Sequence, residues 1–524
     1  MRGRSSSWIV ASLAVVAIAV TATAAPAIAG HAARHSAAPS DPKAILRYGS
    51  DLSTFGGPAL DPIDAKSGGA LDFNYDYLIY DTLVHVARNG SYTPGLATSW
   101  KIVDPQTLDL TLRPNVEFQD GTKLDAEAVK AGLDRARTSQ NDSLNPALFK
   151  LDDVTVTGPL AVRLHLGEPV MESFFPLLHN IATMIPSPAA VAKGDLAEHP
   201  VGAGPYRFEE LAGEDHLSVR KFKGYWDAGA YPLAGVDFIH QPSGGPSGIT
   251  SLLADEVDLE DLSTAPEAST LDGRPGFGLY TQAANDNLYL MTMCTTAPPF
   301  DKLAVRRAIA QAINRDEINA GALDGVGSPT ALPVPSNSEF YVPALAHRYP
   351  YNPAKARKLL RKAGVQAGTS FDFLEPPVPS FLGVAEVVQG QLAKVGFDVH
   401  IIQSVNVTQD LFLDNKAPAA VLFTTDPGVG GLLPYLSPEG IANLCHYKNP
   451  ALDAAFAKVN ASFGDPAKAK VAWRELQTVL VDELPVIFFI YPSKVAGFNE
   501  RVHGVNQIFE TGTVNLRKVF ISKG

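Results

Sequence analysis

Cysteine is almost absent: the 524 residues contain 2, Cys294 and Cys445. Neither lies near the N-terminus, so a cysteine-linked lipid anchor is not available there. Two cysteines also exclude a disulfide-dense scaffold, and no His/Cys cluster has zinc-ligand spacing. Cys445 and His446 are adjacent, and adjacent residues rarely face one ion together. Basic charge is outweighed, with 43 Lys and Arg against 55 Asp and Glu, a net charge of −12. That balance argues against nucleic acid as the main partner, because phosphate binding wants a basic surface. Beyond the N-terminal region no run reaches the ~20 uninterrupted apolar residues that a membrane helix needs. Neither a G-x-S-x-G elbow nor an H-E-x-x-H helix occurs, so a secreted hydrolase has no motif to rest on. No metal and no cofactor is expected.

What is present describes a large globular chain. Hydrophobic residues make up 46% and charged residues 19%, and Gly 43 with Pro 40 implies many turns. The length predicts more than one domain. At the N-terminus Arg2 and Arg4 precede an apolar run from Trp8 to about Val20, and small residues follow through Ala29. This is the order of a secretory signal. Cleavage is expected after Ala24 or Ala29, with an uncleaved anchor as the alternative. Residues 30–43 read as a flexible linker. Export brings an oxidising compartment, where Cys294 and Cys445 have two fates. They form one bridge, which closes a loop of ~150 residues and stabilises by about 4–5 kcal/mol, or they stay as buried thiols.

Along the chain, strands and helices alternate. Ala44 to Ser50 reads as a first strand. Tyr77 to Val84 carries Leu78, Ile79 and Leu83 at helical spacing. Leu108 to Leu112 alternates as a strand with one wet face. Asp125 is placed as an N-cap for a helix with Val129, Leu133 and Ala136 on one face. Val154 to Leu166 suggests two strands joined around Gly158-Pro159. Gly202, Gly204 and Pro205 mark a tight turn before a strand that starts at Tyr206. Later, Asp301, Asn352-Pro353 and Asp465-Pro466 each read as a helix start, and Gly364 and Gly396 as helix stops. Phe397 to Ile401 and Val486 to Tyr491 read as strands.

Several of these stretches resemble one family. Val201-Gly-Ala-Gly-Pro-Tyr206 resembles the V-G-T-G-P-Y segment of the extracellular solute-binding proteins of peptide importers, the oligopeptide- and dipeptide-binding family 5. Tyr92 to Trp100 resembles its Pro-x-Leu-Ala-x-Ser-Trp. Phe118-Gln-Asp-Gly121 opens a segment similar to F-x-D-G-x-x-x-x-A-x-D-V, with Glu127-Ala128-Val129 at its end. Phe222 to Trp226 resembles N-x-x-Y-W without the usual Asn. Val305 to Arg315 and Tyr351 to Gly364 resemble V-R-x-A-I-x-x-A-I-x-R and Y-x-P-x-K-A-x-x-L-L-x-x-A-G. The order of these motifs, spread over roughly residues 45 to 515, carries the resemblance; each alone is weak.

The resemblance implies an α/β, periplasmic-binding-protein-like fold of type II, cluster C: two lobes hinged about a cleft, with an extra inserted domain. It implies lobe I from 44–83, 196–287 and 495–524, domain II from 84–195 and lobe III from 288–494, after a signal at 1–29. It further implies a monomer that captures a peptide or peptide-like solute outside the cytoplasm and delivers it to an ABC permease driven by an ATPase. Relatives of this kind also take sugars, metal chelates and haem, and some report to a sensor. Peptide-binding members carry W-x-x-D, whose Asp pairs with the peptide's α-amino group. Phe423-Thr-Thr-Asp426 is similar, with Phe in place of Trp. Asp426 and Phe423 are therefore expected at the ligand, with Tyr77, Tyr80 and Tyr435 as ring-bearing lining residues. Asp426 also reads simply as the cap of the Asp-Pro turn.

Overall fold

The computed structural model describes residues 39–52, 59–64, 75–88, 90–139, 148–213, 215–241, 247–262, 265–283, 287–424, 428–509 and 512–523. The expected signal and the first part of the linker lie outside these residues. Two large sheets organise the rest. A seven-stranded sheet runs in the order Phe277–Ala283, Ser493–Asn499, Leu259–Leu262, Ile45–Ser50, Gly235–His240, His216–Lys221, Tyr206–Ala212. A six-stranded sheet runs Ser328–Pro329, Val486–Tyr491, Tyr289–Met293, Ala419–Phe423, Thr369–Glu375, Phe397–Gln403. Each contains a parallel trio, central in the seven-stranded sheet and at one edge of the six-stranded one: Ile45–Ser50 pairs parallel with two neighbours, and so does Thr369–Glu375. Val486–Tyr491 is buried along its whole length, which is why it reads as one apolar run rather than an alternation.

The chain passes from the first sheet to the second between Ala283 and Tyr289, and returns between Tyr491 and Ser493. A smaller, antiparallel four-stranded sheet lies between the first strand and Tyr206 in sequence. Its order is Ala97–Asp104, Thr107–Leu112, Ala161–Leu166, Leu151–Gly158. Ser493 and Lys494, expected with lobe III, instead pair with Ala283 and Gln282 in the seven-stranded sheet. Residues 40–43, expected to be free linker, are partly tied down: Ser40 bridges Ser522, and the Asp41 amide donates to Ile521 O at 2.8 Å.

Local chemistry sets many boundaries. Asp125, Asn352 and Asp465 each accept a backbone N–H as the N-cap of their helix. Asp301 does not; the Leu303–Ala312 helix starts after Lys302 with no side-chain cap. The helix expected over Tyr77–Val84 shrinks to Asp76–Ile79, and Val84 begins a strand. Asp81 causes the break. Its carboxylate accepts from the Thr82 amide and pairs with His85, so the backbone turns where a helix would continue. Leu83 is buried all the same, so its spacing reported burial rather than helix.

The Val201–Tyr206 return packs on this turn. A Cβ on Gly202 would come 2.4 Å from Ile79 O, and one on Gly204 would come 2.4 Å from Leu78 O. Gln119 fastens both segments, donating to Ile79 O at 2.7 Å and to Tyr206 O at 2.7 Å. The two glycines are thus there for close approach of backbone to backbone. No helix among the described residues is long and apolar enough to cross a membrane.

Candidate ligand-binding site

In open sheets with parallel strands, ligands sit outside the carboxyl ends of those strands. In the seven-stranded sheet those ends are Ser50, His240 and Leu262; in the six-stranded sheet they are Glu375, Gln403 and Phe423. Near the first set, the Leu52 amide donates to His240 Nδ1 at 3.0 Å, and Gln241 continues the pairing through Ser50 O. The second set carries more distinctive chemistry.

Phe423 ends its strand in an aromatic cluster. Its ring stacks on Phe381 with centroids 4.8 Å apart, and Tyr289 meets it edge-on at 5.6 Å. Tyr289 also meets Phe381 at 5.7 Å. The Tyr435 hydroxyl donates to Phe423 O at 2.7 Å. Phe423 and Tyr435, both expected at the ligand, are therefore brought together. Burial pushes the Tyr289 hydroxyl up to about 12 and pushes Tyr435 up as well.

Glu375 lies at the end of the neighbouring strand and is fully enclosed. Its Oε1 accepts the Val421 amide at 2.7 Å, a position where the two strands no longer pair as a ladder. Its Oε2 has no hydrogen-bond partner. Burial pushes the carboxyl up to about 9, against the opposing Val421 N–H, so it is a neutral, proton-bearing group at pH 7.

Both first-lobe tyrosines, expected at the ligand, are buried in the core. Tyr77 stacks on Phe509 at 4.6 Å and donates to His179 O at 3.1 Å. His179 donates from Nδ1 to Val84 O at 3.1 Å, and its Nε2 is enclosed without a partner. Burial, followed by the nearby His85, pushes His179 down to about 4, so it is neutral. Tyr80 is a correction: it is fully buried, and its hydroxyl donates to Leu60 O at 2.9 Å. Its ring belongs to the core beneath the Asp76–Ile79 turn rather than to a lining. Asp426 lies outside the described residues. Cys294 and Cys445 are joined, with S–S 2.01 Å and Cα–Cα 5.2 Å.

Tyr289, Phe381 and Glu375 were not foreseen. Tyr289 and Phe381 belong to no motif, and the Val421 partner of Glu375 is 46 residues away. The Phe423 motif was the one signal pointing to the cluster.

A sequence profile described as "Bacterial extracellular solute-binding proteins, family 5 Middle" matches residues 91–436, more than half of the chain. The chain belongs to this family of solute-binding proteins. A glutathione-binding protein GsiB of Pectobacterium atrosepticum is 29% identical over 480 residues, covering 88% of this chain and 91% of that protein. Among solved structures, the AgaA protein of A. tumefaciens R10, in complex with agropinic acid, aligns with TM-score 0.78 at 22% identity. It covers 92% of this chain and 99% of the other. A dipeptide-binding protein of Pseudoalteromonas sp. SM9913, in complex with Met-Leu, aligns with TM-score 0.77 at 21% identity over 91% of this chain and 100% of the other. Both alignments show the family 5 solute-binding fold.

Proposed function

We propose that this chain is the extracytoplasmic capture component of an ABC importer for peptides or peptide-like solutes. The lobes expected from the sequence, 44–83 with 196–287 and 495–524 on one side and 288–494 on the other, close on the ligand, with 84–195 riding as the inserted domain. The loaded protein then docks on a membrane permease as a monomer, and no bond of the ligand is made or broken. The observation that carries this reading is the aromatic cluster around Phe423 at the carboxyl ends of the six-stranded sheet. It lies three residues before Asp426, where the family's peptide-binding members hold an α-amino group. The rings suit variable side chains, and Asp426 pairs with the ammonium. An N-terminal signal delivers the chain outside the cytoplasm.

Titration calorimetry with glutathione, Met-Leu and longer peptides, each free and N-acetylated, tests this. Free peptides should bind, and acetylation should weaken them by about 2–5 kcal/mol, the cost of leaving a buried charge unpaired. Asp426→Asn should lose affinity for free peptides and much less for acetylated ones. Equal affinity of the wild type for both forms would remove the amine anchor. It would point to a ligand without an amino terminus in the same cleft.

A further inference from the structure

A second contact joins the inserted domain to the six-stranded lobe, away from the two chain crossings in sequence. The short Met171–Phe174 helix follows the four-stranded sheet, and the Pro450–Asn460 helix belongs to the chain between two strands of the six-stranded sheet. Asn460 Oδ1 accepts from the Ser173 amide at 3.1 Å and from the Ser173 hydroxyl at 2.8 Å. Both residues are buried. Three residues on, Phe463 packs on Phe175 of the inserted domain, with centroids 5.0 Å apart. Gly464 keeps the seam close: a Cβ there would come 3.0 Å from Ile102.

We propose that the Ser173–Asn460 seam is a clasp that forms on lobe closure, and that Asn460 is a positioning residue for ligand retention. This rests on the reading of the protein as a lobe-closing binder. The lobes are linked covalently only at two crossings, so everything else between them must separate if they rotate. At the Ser173–Asn460 pair, a hydrogen bond broken on opening is exchanged for one to water at small net cost. Phe463 and Phe175 flank that pair and would part with it. Closed, the same groups are dry, and an unpaired Ser173 hydroxyl would be costly; the amide also donates to Val170 O at 3.0 Å. The clasp therefore adds to ligand affinity from residues that act through closure, and it draws the inserted domain into the binding event.

Hydrogen exchange on the whole mature protein tests this without any ligand. In the unliganded wild type the Ser173 amide should exchange about 100-fold faster than Leu110 in the four-stranded sheet, because opening exposes the clasp but not the sheet. Asn460→Ala should leave the unliganded melting temperature unchanged. With glutathione or Met-Leu as probe, dissociation should be about 10-fold faster in Asn460→Ala, and Asn460→Asp, which keeps the acceptor, should restore retention. A Ser173 amide as protected as Leu110 in the unliganded protein, or an Asn460→Ala variant that melts lower without ligand, would overturn the clasp and leave a permanent contact. Failure of the parent reading looks different: a probe that binds with no change in scattering radius would remove lobe closure itself.

Discussion

The two large lobes are held together by different means. The seven-stranded lobe is assembled from segments far apart in sequence, and polar contacts join them. Arg47 donates to Asp258, 211 residues on, and Arg501 reaches the same carboxylate from 243 residues away. The Val514 amide donates to the Tyr48 hydroxyl across 466 residues. Buried Asp81 serves His85, the Thr82 amide, the Tyr225 hydroxyl and the Trp226 indole at once. The six-stranded lobe is one continuous stretch with an apolar core, a disulfide and a neutral carboxyl at Glu375; its long-range arginines, Arg306 to Glu483 O across 177 residues and Arg315 to Phe488 O across 173, reach backbone carbonyls rather than carboxylates. A lobe made of returning segments needs contacts that recognise a particular partner, and directional charged hydrogen bonds supply that. The continuous lobe combines packing, a covalent tie and arginines directed at backbone carbonyls.

The largest break in this contrast should come from the disulfide. Replacing Cys294 and Cys445 together with Ser frees a loop of sequence separation 151, worth about 5 kcal/mol in the chain-entropy picture. Differential scanning calorimetry should show the six-stranded lobe melting much earlier while the other transition stays in place. A uniform shift of one transition would mean that the lobes do not differ in this way.

Next in size is Glu375. Folded, it holds its proton up to about 9, whereas its ordinary value is 4.5. The folded state therefore binds more protons between those values, so its contribution is intact at low pH and drains away as pH rises. Glu375→Gln imitates the neutral form. It should flatten the fall in stability of this lobe between about pH 5 and 9, and be the more stable protein at pH 8 by about 2–4 kcal/mol. Melting curves across that range decide it; an unaltered pH slope would show that the carboxyl finds another way to ionise.

The smallest effect belongs to Asp258, and its sign is opposite. Burial alone would raise its carboxyl, but hydrogen bonds from Arg47 and Arg501 hold it below the usual range. Its contribution is therefore present above about pH 4 and lost as acid protonates it. Both arginines remain about a third exposed, so solvent screens the pair. Asp258→Asn should cost the seven-stranded lobe about 1–2 kcal/mol at pH 7 and progressively less at pH 3. A penalty that does not change with pH would assign the loss to packing. Taken together, acid should loosen one lobe and alkali the other.

Legibility in the sequence followed the range of the forces involved. Caps such as Asn352 and Asp465 act within one helical turn, so their residues announce them. Asp301 carries the same letter, yet the helix after Lys302 starts without it, because packing of the apolar face set the start. The Tyr77–Val84 periodicity was sound about burial and misleading about conformation, since one buried aspartate redirected the backbone. At the site, Phe423 was visible through its motif and Tyr435 through its ring. Glu375 carried no signal in the sequence. Its meaning depends on the Val421 amide, 46 residues away, and on burial, and neither is local in the chain. Tyr77 and Tyr80 could each have been read as lining or as core, and only the three-dimensional packing shows that both are buried.

Only Pro492 stands between the last strand of the six-stranded sheet and the strand that re-enters the seven-stranded one. The proline ring fixes one of that residue's two soft torsions. On this side the lobes are therefore pinned rather than tethered, and each presents its face to the other at a high effective concentration before any solute arrives. Much of the translational and rotational entropy of bringing two surfaces around a guest has been spent during folding. A small ligand, with few atoms to contribute, can then be held by a cleft it could not have assembled by itself.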